Sequence, residues 1–332
     1  MKENLIDKTM KKILIGLLLL TCMSALGQET GMVGIDGVAY RILSEEEKTA
    51  ECFTTANSIL DMVVRPTVTI DGQEYTVTAI ADDAVTLHFG QFLTHLTLPP
   101  TLKRIGARNF MDCPLTELEL PSSLEYVGYA SLLGLPLQSL FIPASLTYIG
   151  LLAFSGSAST AITVDERNPV YDSRDNCNAI IETATDKLVR GCPTTTIPPT
   201  VKIIGECSLG GLIADVDLPP SVVEVEKQAF ISAHPALRSI TFHSQVPPVT
   251  HGDIIDSRFF QYVTLYVPEG SADAYKSAPD WGNFRVVEIS NTEVSFSKGT
   301  VTSQFFDLQG RRLTGKPAKG VYIEDGKKRV VK

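Results

Sequence analysis

The chain has 332 residues, 44% hydrophobic and 20% charged, with a formal net charge of −9. That composition is globular, with length for one or two domains. Residues 310–332 hold eight Lys/Arg against two acids, so the body of the chain is strongly acidic, which excludes nucleic acid and anionic lipid as natural partners.

In chain order, Lys11 and Lys12 precede the apolar run from Ile13 to Leu20 and the small-residue site Ala25-Leu26-Gly27. These are the parts of a secretory signal peptide, predicted over residues 1–27. The run is short for a bilayer span, and no later segment approaches the ~20 apolar residues of a membrane helix. Cys22, after Leu19-Leu20-Thr21, supports a rival reading as a lipidated cysteine that anchors the chain.

Residues 28–78 are predicted to form an N-terminal β cap. "IDGVAYRIL" and "VTIDGQEYTVT" alternate apolar and polar residues around Asp36-Gly37 and Asp71-Gly72, the pattern of hairpin strands. They are placed to close one hydrophobic end of the segment that follows.

Residues 79–242 repeat themselves. Pro99, Pro121, Pro143, Pro198 and Pro219 each follow a short Leu-x-Leu-like piece, at intervals of 22, 22, 55 and 21. Three residues after each comes an apolar anchor (Leu102, Leu124, Leu146, Val201, Val222), and three further on another (Ile105, Val127, Ile149, Ile204, Val225). Gly106, Gly128, Gly150 and Gly205 follow the second anchor, with Glu226 breaking the series. Five residues past that anchor stands Phe110, Leu132, Phe154, Leu209 or Phe230. Such a period marks a leucine-rich-repeat solenoid. One coil cannot bury its apolar face alone, but a stack of copies can. Leu118 and Leu120 of "LTELEL" should then point inward from a parallel strand, with Glu117 and Glu119 outward.

The long interval holds an insertion near 161–193, read as the strands "NAIIET" and "DKLVRG" around a turn. Cys177 and Cys192 flank it, and two readings stay open, a disulfide in an oxidising compartment or separate thiols. Cys113 and Cys207 fall near apolar repeat positions and read as small buried hydrophobes. Five cysteines past residue 27, with no C-x-x-C pair, fit neither a disulfide framework nor a zinc site. Residues 243–289 form a C-terminal cap, with "LRSITFHS" the last repeat strand before it, "VTLYVPEG" a strand, and a short helix bearing Tyr275 and leading to Trp281. Residues 290–332 are a small β tail, with a hairpin turning at Asp325-Gly326.

The units "LTLPPTLKRIGARNF", "LELPSSLEYVGYASL" and "DLPPSVVEVEKQAF" resemble the BspA-like leucine-rich repeats of bacterial cell-surface proteins. The insertion and the cap "LYVPEGSADAYKSAPDWGNF" look like parts of the same proteins. Leu132 and Leu209 depart from the family's usual Phe, and Thr195-Thr196 from its more apolar strand start. The tail "FFDLQGRRLTGKPAKGVYIEDGKKRVVK" resembles a C-terminal sorting-type domain, which implies an address across or at the outer membrane. The resemblance implies adhesion to proteins of a host or of neighbouring cells.

Catalytic motifs are absent from the sequence. His88, His95, His234, His243 and His251 form no H-E-x-x-H or H-x-x-x-H pair, and no nucleophile elbow, P-loop or dinucleotide fingerprint occurs. The glycine pair in "SLGGLIAD" reads as a repeat turn. Asp165, Glu166, Asp172, Asp175 and Asn176 lack the register of a calcium loop and read as a solvated turn. Outward strand positions remain for function: His95, Thr97, Glu117, Glu119, Ser139, Phe141, Asp215, Asp217, Arg238 and Thr241. Glu117, Glu119, Phe141, Asp215 and Asp217 are the candidate binding residues, with Phe141 as an aromatic anchor.

The expectation is thus a mostly β leucine-rich-repeat solenoid, capped by hairpins and by a strand–helix unit. It is exported, either secreted or held at the cell surface, and binds an extracellular host or bacterial protein or glycan without catalysis, metal or cofactor. Two other readings stand beside it. One is an accessory protein of surface polysaccharide processing, or an unrecognised hydrolase; the other is a structural surface component.

Overall fold

A computed structural model describes residues 31–55, 60–85, 92–156, 161–209, 213–230 and 236–290, and the backbone of four strands beyond them. The signal-peptide stretch, Cys22, His88, His234 and the pair Gly210-Gly211 lie outside the described residues.

The two Asp-Gly pairs make hairpin turns. Met32–Ile35 pairs antiparallel with Val38–Ser44, and Thr67–Ile70 with Gln73–Ile80. Asp36 and Gly37 (φ 51° and 80°) and Asp71 and Gly72 (51° and 79°) are left-handed, as a two-residue type I′ turn requires. Thr49–Thr55 runs parallel to Gln73–Ile80, which in turn runs parallel to Arg104–Ile105. The hairpins therefore extend the solenoid's own ladder and cover its first edge.

Three lines of backbone contact join the coils. The first runs along the second anchors. Arg104–Ile105, Tyr126–Val127 and Tyr148–Ile149 pair in parallel, as do Lys187–Gly191, Ile203–Ile204, Glu224–Val225 and Val249–Thr250. The glycine after each anchor has a steric cause. A Cβ on Gly128 would sit 2.6 Å from Ala107 N, and one on Gly205 would sit 2.6 Å from Leu188 O. The coils touch backbone to backbone here, so no side chain fits between them. Where Glu226 breaks the series, its carboxylate accepts the Glu206 N–H at 2.8 Å.

The second line is a left-handed turn three residues past the anchor. Asp83, Arg108, Ala130, Leu152, Cys207 and Gln228 all have φ between 49° and 61°. The conformation aims the turn's N–H along the stack. Arg108 N–H reaches Tyr129 O, Ala130 N–H reaches Leu151 O, and Gln228 N–H reaches Asp253 O, at 2.7–3.0 Å. A non-glycine residue pays about 1–2 kcal/mol for that conformation, partly offset by the inter-coil bond it permits.

The third line is the Leu-x-Leu series, and it is interrupted. Asp61–Val63 pairs with His95–Thr97, Ser139–Ile142 with Ala161–Val164, and Asp215–Leu218 with Ser239–Phe242, all in parallel. Residues 117–120 form no strand. Ala161–Val164, the start of the segment set apart as an insertion, thus acts as a coil strand. Lys187 and Leu188 at its other end pair with Ile203 and Ile204 as an anchor strand. What lengthens this coil is the antiparallel excursion of Tyr171–Asp172, Ala179–Glu182 and Lys187–Gly191.

The anchors Leu102, Leu124, Leu146, Val201 and Val222 are buried, together with Phe110, Leu132, Phe154, Leu209 and Phe230. Each such side chain contributes about 1.5–3 kcal/mol by leaving water. At the C-terminal end Thr264–Pro268 and Arg285–Ile289 pair in parallel around the helix Ala272–Ser277. Phe242 of the last coil meets Tyr275 and Trp281 at ring-centroid distances of 4.9 and 5.0 Å. Trp281 Nε1–H donates to Pro248 O at 2.8 Å, and the Tyr275 hydroxyl donates to Ser244 O at 2.9 Å. The aromatic pair closes the core without stranding a polar atom. Beyond residue 290, Phe305–Phe306, Arg312–Leu313, Gly320–Glu324 and Lys327–Val331 form an antiparallel sheet.

All five described cysteines are buried free thiols. Cys177 Sγ faces Ala179 O and Cys192 Sγ faces Asn178 O, and they pack in different core clusters. Of the two readings for this pair, the structure holds separate thiols.

Candidate functional site

Glu117, Glu119 and Phe141 are brought together. They line an open depression of about 1210 Å³, bounded also by Leu98, Ser139 and Arg167. Phe141 is 53% exposed. Asp215 and Asp217 stand apart from them, on the sheet formed by Asp215–Leu218, Ser239–Phe242, Thr264–Pro268 and Arg285–Ile289.

Glu117 and Glu119 point outward as expected, but from a segment without strand pairing, and Leu118 between them is only half-buried. The contrast with Asp215 and Asp217 gives the reason. Asp215 accepts the Ser239 hydroxyl at 2.6 Å, and Asp217 pairs with His243, so the neighbouring coil balances both acids. The residues one period either side of Glu117 and Glu119 are His95, Thr97, Ser139 and Phe141, which offer less: His95 Nδ1 is taken by Asp61 at 2.8 Å. The ladder opens there, leaving one long bond, Gln138 N–H to Thr116 O at 3.4 Å.

Of the other outward residues, His95, Thr97 and Ser139 are exposed on their strands and Thr241 is half-buried in register with Asp217 and Tyr266. Arg238 is exposed but precedes its strand. His251 pairs with Glu224 at 3.1 Å. Of the acids of the segment 165–176, Asp165 and Asp172 are held by arginines. Asp165 binds Arg167 at 2.7 Å, while Asp172 and Asp186 bind Arg174 at 2.6 and 2.8 Å. Arg167 holds the Asp165 carboxyl down at about 2. Among the described residues no group of three His, Cys, Asp or Glu could hold a metal ion. His243 and Asp217 share a sheet with Ser239, yet that hydroxyl is given to Asp215. The arrangement is not a nucleophile–base–acid relay.

Sequence reasoning missed a second ladder. On the anchor strands the Arg104 guanidinium lies 4.2 Å over the Tyr126 ring, and Tyr126 stacks on Tyr148 at 4.5 Å with 4° between planes. These residues precede the second anchor in successive coils, so the repeat alignment carried the signal. Both faces of Tyr126 are taken in this way, so the ladder contributes about 0.5–1.5 kcal/mol per pair, while Tyr148 at its end stays 50% exposed.

Comparison with known proteins follows the repeats. The model of the BspA type leucine-rich repeat region matches in six copies over residues 87–177 and 190–264, half of the chain. The gap between the two stretches falls on the hairpin that lengthens the coil. No curated protein matches. Similar solved structures include a leucine-rich cell surface protein of Faecalibacterium prausnitzii, at 16% identity and a TM-score of 0.39, covering 80% of this chain and 96% of that one. The pneumococcal vaccine antigen PcpA is 14% identical with a TM-score of 0.41, covering 79% and 100%. A leucine-rich repeat protein of Bacteroides ovatus is 18% identical with a TM-score of 0.42, covering 77% and 76%. On its repeats and their match, the chain belongs to the BspA-type leucine-rich-repeat family.

Proposed function

We propose that the protein is an exported, surface-displayed recognition module that binds an extracellular protein through the depression lined by Glu117, Glu119 and Phe141. The observation that carries this reading is the opening of the Leu-x-Leu ladder at residues 117–120. Two carboxylates there have no partner among the described residues, and an exposed aromatic stands beside them. Some acids elsewhere on the described surface meet cations of their own chain, as Asp83 meets Arg108 and Asp186 meets Lys202. Unpaired carboxylates around an aromatic suit a partner segment carrying Lys or Arg with an apolar side chain to seat on Phe141.

Export rests on the N-terminal sequence and on family membership, and the basic tail of residues 290–332 serves as the address. No described helix is long and apolar enough to cross a membrane. A broad rigid face suits binding, whereas catalysis needs converging groups. The domain division proposed from the sequence follows the same logic, with hairpins, solenoid, cap and tail in turn. The test is an array of matrix proteins and glycans probed with the wild type and with a Glu117→Gln, Glu119→Gln, Phe141→Ala variant. Saturable micromolar binding to a protein, lost in the variant, supports the reading. Binding to glycans alone, or binding untouched by the three substitutions, removes it, and turnover of any array component removes the non-enzymatic reading.

A further inference from the structure

All three lines of inter-coil contact stop at the same place. The anchor sheet of the first coils ends at Tyr148–Ile149, and the Leu-x-Leu pair of Ser139–Ile142 and Ala161–Val164 is a sheet by itself. The next anchor sheet opens with the hairpin of Tyr171–Asp172, Ala179–Glu182 and Lys187–Gly191. Among the described residues, no hydrogen bond or ion pair joins residues 149–155 to Lys187–Gly191 or to residues 205–207. A cavity of about 200 Å³ lies between them.

The buried apolar side chains divide at the same seam, into a first and a second stack. Tyr171, Ile180 and Cys192 pack with the first, whereas Ala179, Ile181 and Leu188 pack with the second. Adjacent residues of a strand face opposite ways, so Ala179–Glu182 is a plate between two cores. The hairpin is fastened to the second stack along its length. Lys187 and Leu188 pair with Ile203 and Ile204, Gly191 N–H reaches Ser208 O at 2.9 Å, and Lys187 meets Glu226 at 3.4 Å. The first stack is bonded to it at one flank. There Ile149 N–H donates to the Tyr171 hydroxyl at 3.2 Å, and Asn168 Nδ2 donates to Pro143 O and Leu146 O at 2.8 and 2.9 Å.

Arg190 stands in the cavity wall on the unbonded side and is 3% exposed. Its Nε, Nη1 and Nη2 are closed to water, and none has a hydrogen-bond partner among the described residues. Burial lowers its pKa to about 10, so the guanidinium is still charged at neutral pH. A lone buried charge is among the costliest arrangements a core can hold. Parting of the stacks gives its five donors to water.

We propose that the seam is a hinge. Residues 149–155 part locally from Lys187–Gly191 while both stacks stay folded, and the uncompensated charge of Arg190 favours the open form. A solenoid coheres through contacts between neighbouring units, and local openings begin where such contacts are fewest. The depression at Glu117, Glu119 and Phe141 lies on the first stack and the sheet bearing Asp215 and Asp217 on the second. Opening therefore changes the angle between these two surfaces.

The experiment is hydrogen exchange of the whole protein by NMR, with Arg190 Nε–H assigned through bonds from its own amide. Its protection factor should lie about tenfold or more below those of the Gly128 and Gly205 amides, whose bonds to Ile105 O and Leu188 O stay intact when the seam opens. Equal protection would mean that only global unfolding frees Arg190, and overturns the hinge. A short bis-maleimide joining Leu151→Cys to Glu206→Cys, both in the cavity wall, should raise the Arg190 protection to the level of the two glycines. Protection unchanged by that link overturns the hinge equally. Arg190→Met removes the charge that favours opening and should melt above the wild type. A lower melting temperature, or failure to fold, overturns the role given to Arg190, and the wild-type exchange still decides the hinge.

Discussion

Gly128→Ala tests whether the repeat glycines mark backbone contact between coils. The new Cβ would lie 2.6 Å from Ala107 N, 2.8 Å from Gly106 C and 2.9 Å from Ala107 Cα, against 3.4 Å for ordinary contact. All three atoms are backbone, so no rotamer change relieves them. The coil must retreat by about 0.8 Å, which stretches the Gly128 N–H···O=C bond to Ile105, now 2.9 Å. Overpacking costs about 1–3 kcal/mol and the weakened bond adds about 0.5–1.5. Loss of glycine's freedom in the unfolded chain returns about 0.4–1. The net is a destabilisation of about 2–3 kcal/mol, or a fall of roughly 3–6 °C in Tm for a chain of this size. Gly72→Ala is the control: with φ 79° and nothing within 4 Å, it carries only the left-handed cost of about 1–2 kcal/mol. Thermal melts followed by circular dichroism decide. A Gly128→Ala protein melting within about 1 °C of wild type, or above Gly72→Ala, refutes the contact argument.

Gln228→Gly should stabilise by about 0.5–1 kcal/mol, because φ 56° there is strained for a side-chain residue; unchanged or lower stability in urea would mean the turn carries no strain. The five described thiols should react with iodoacetamide only on denaturation, since burial raises Cys52 and Cys113 to about 12 and Cys177 and Cys207 to about 11. Rapid native labelling, or a Cys177–Cys192 link under mild oxidation of the folded protein, would contradict the packing. Asp165 should titrate near 2 by NMR, and Arg167→Ala should return it towards the ordinary carboxylate value. Because the folded pKa is the lower one, the stability this pair contributes is complete above about pH 4 and fades as pH falls towards 2; a contribution that grows on acidification would reverse the sign and refute it.

The repeat was legible because stacking imposes it directly. Leu124, Val127 and Leu132 recur at fixed offsets since each must meet its copy in the next coil, and the Asp-Gly turns have few conformations open to them. The interruption at Glu117 and Glu119 was not legible, since it depends on which side chains neighbouring coils bring beside them. The left-handed line escaped notice because Ala130, Leu152 and Gln228 are not residues that announce a positive φ. Ala161–Val164 was set apart as insertion because the proline that marks other coils is missing after it. Arg190 was readable in "DKLVRG", where alternation places it beside Leu188 on the buried face. Its lack of a partner is a fact of the folded chain alone.

The most direct test of the recognition account is hydrogen exchange of the protein with and without a partner captured on the array. Slowed exchange over residues 116–122 and 138–145, lost in the Glu117→Gln, Glu119→Gln, Phe141→Ala variant, is the result the account predicts. Protection confined to the sheet bearing Asp215 and Asp217, or to the ladder of Arg104, Tyr126 and Tyr148, would contradict it.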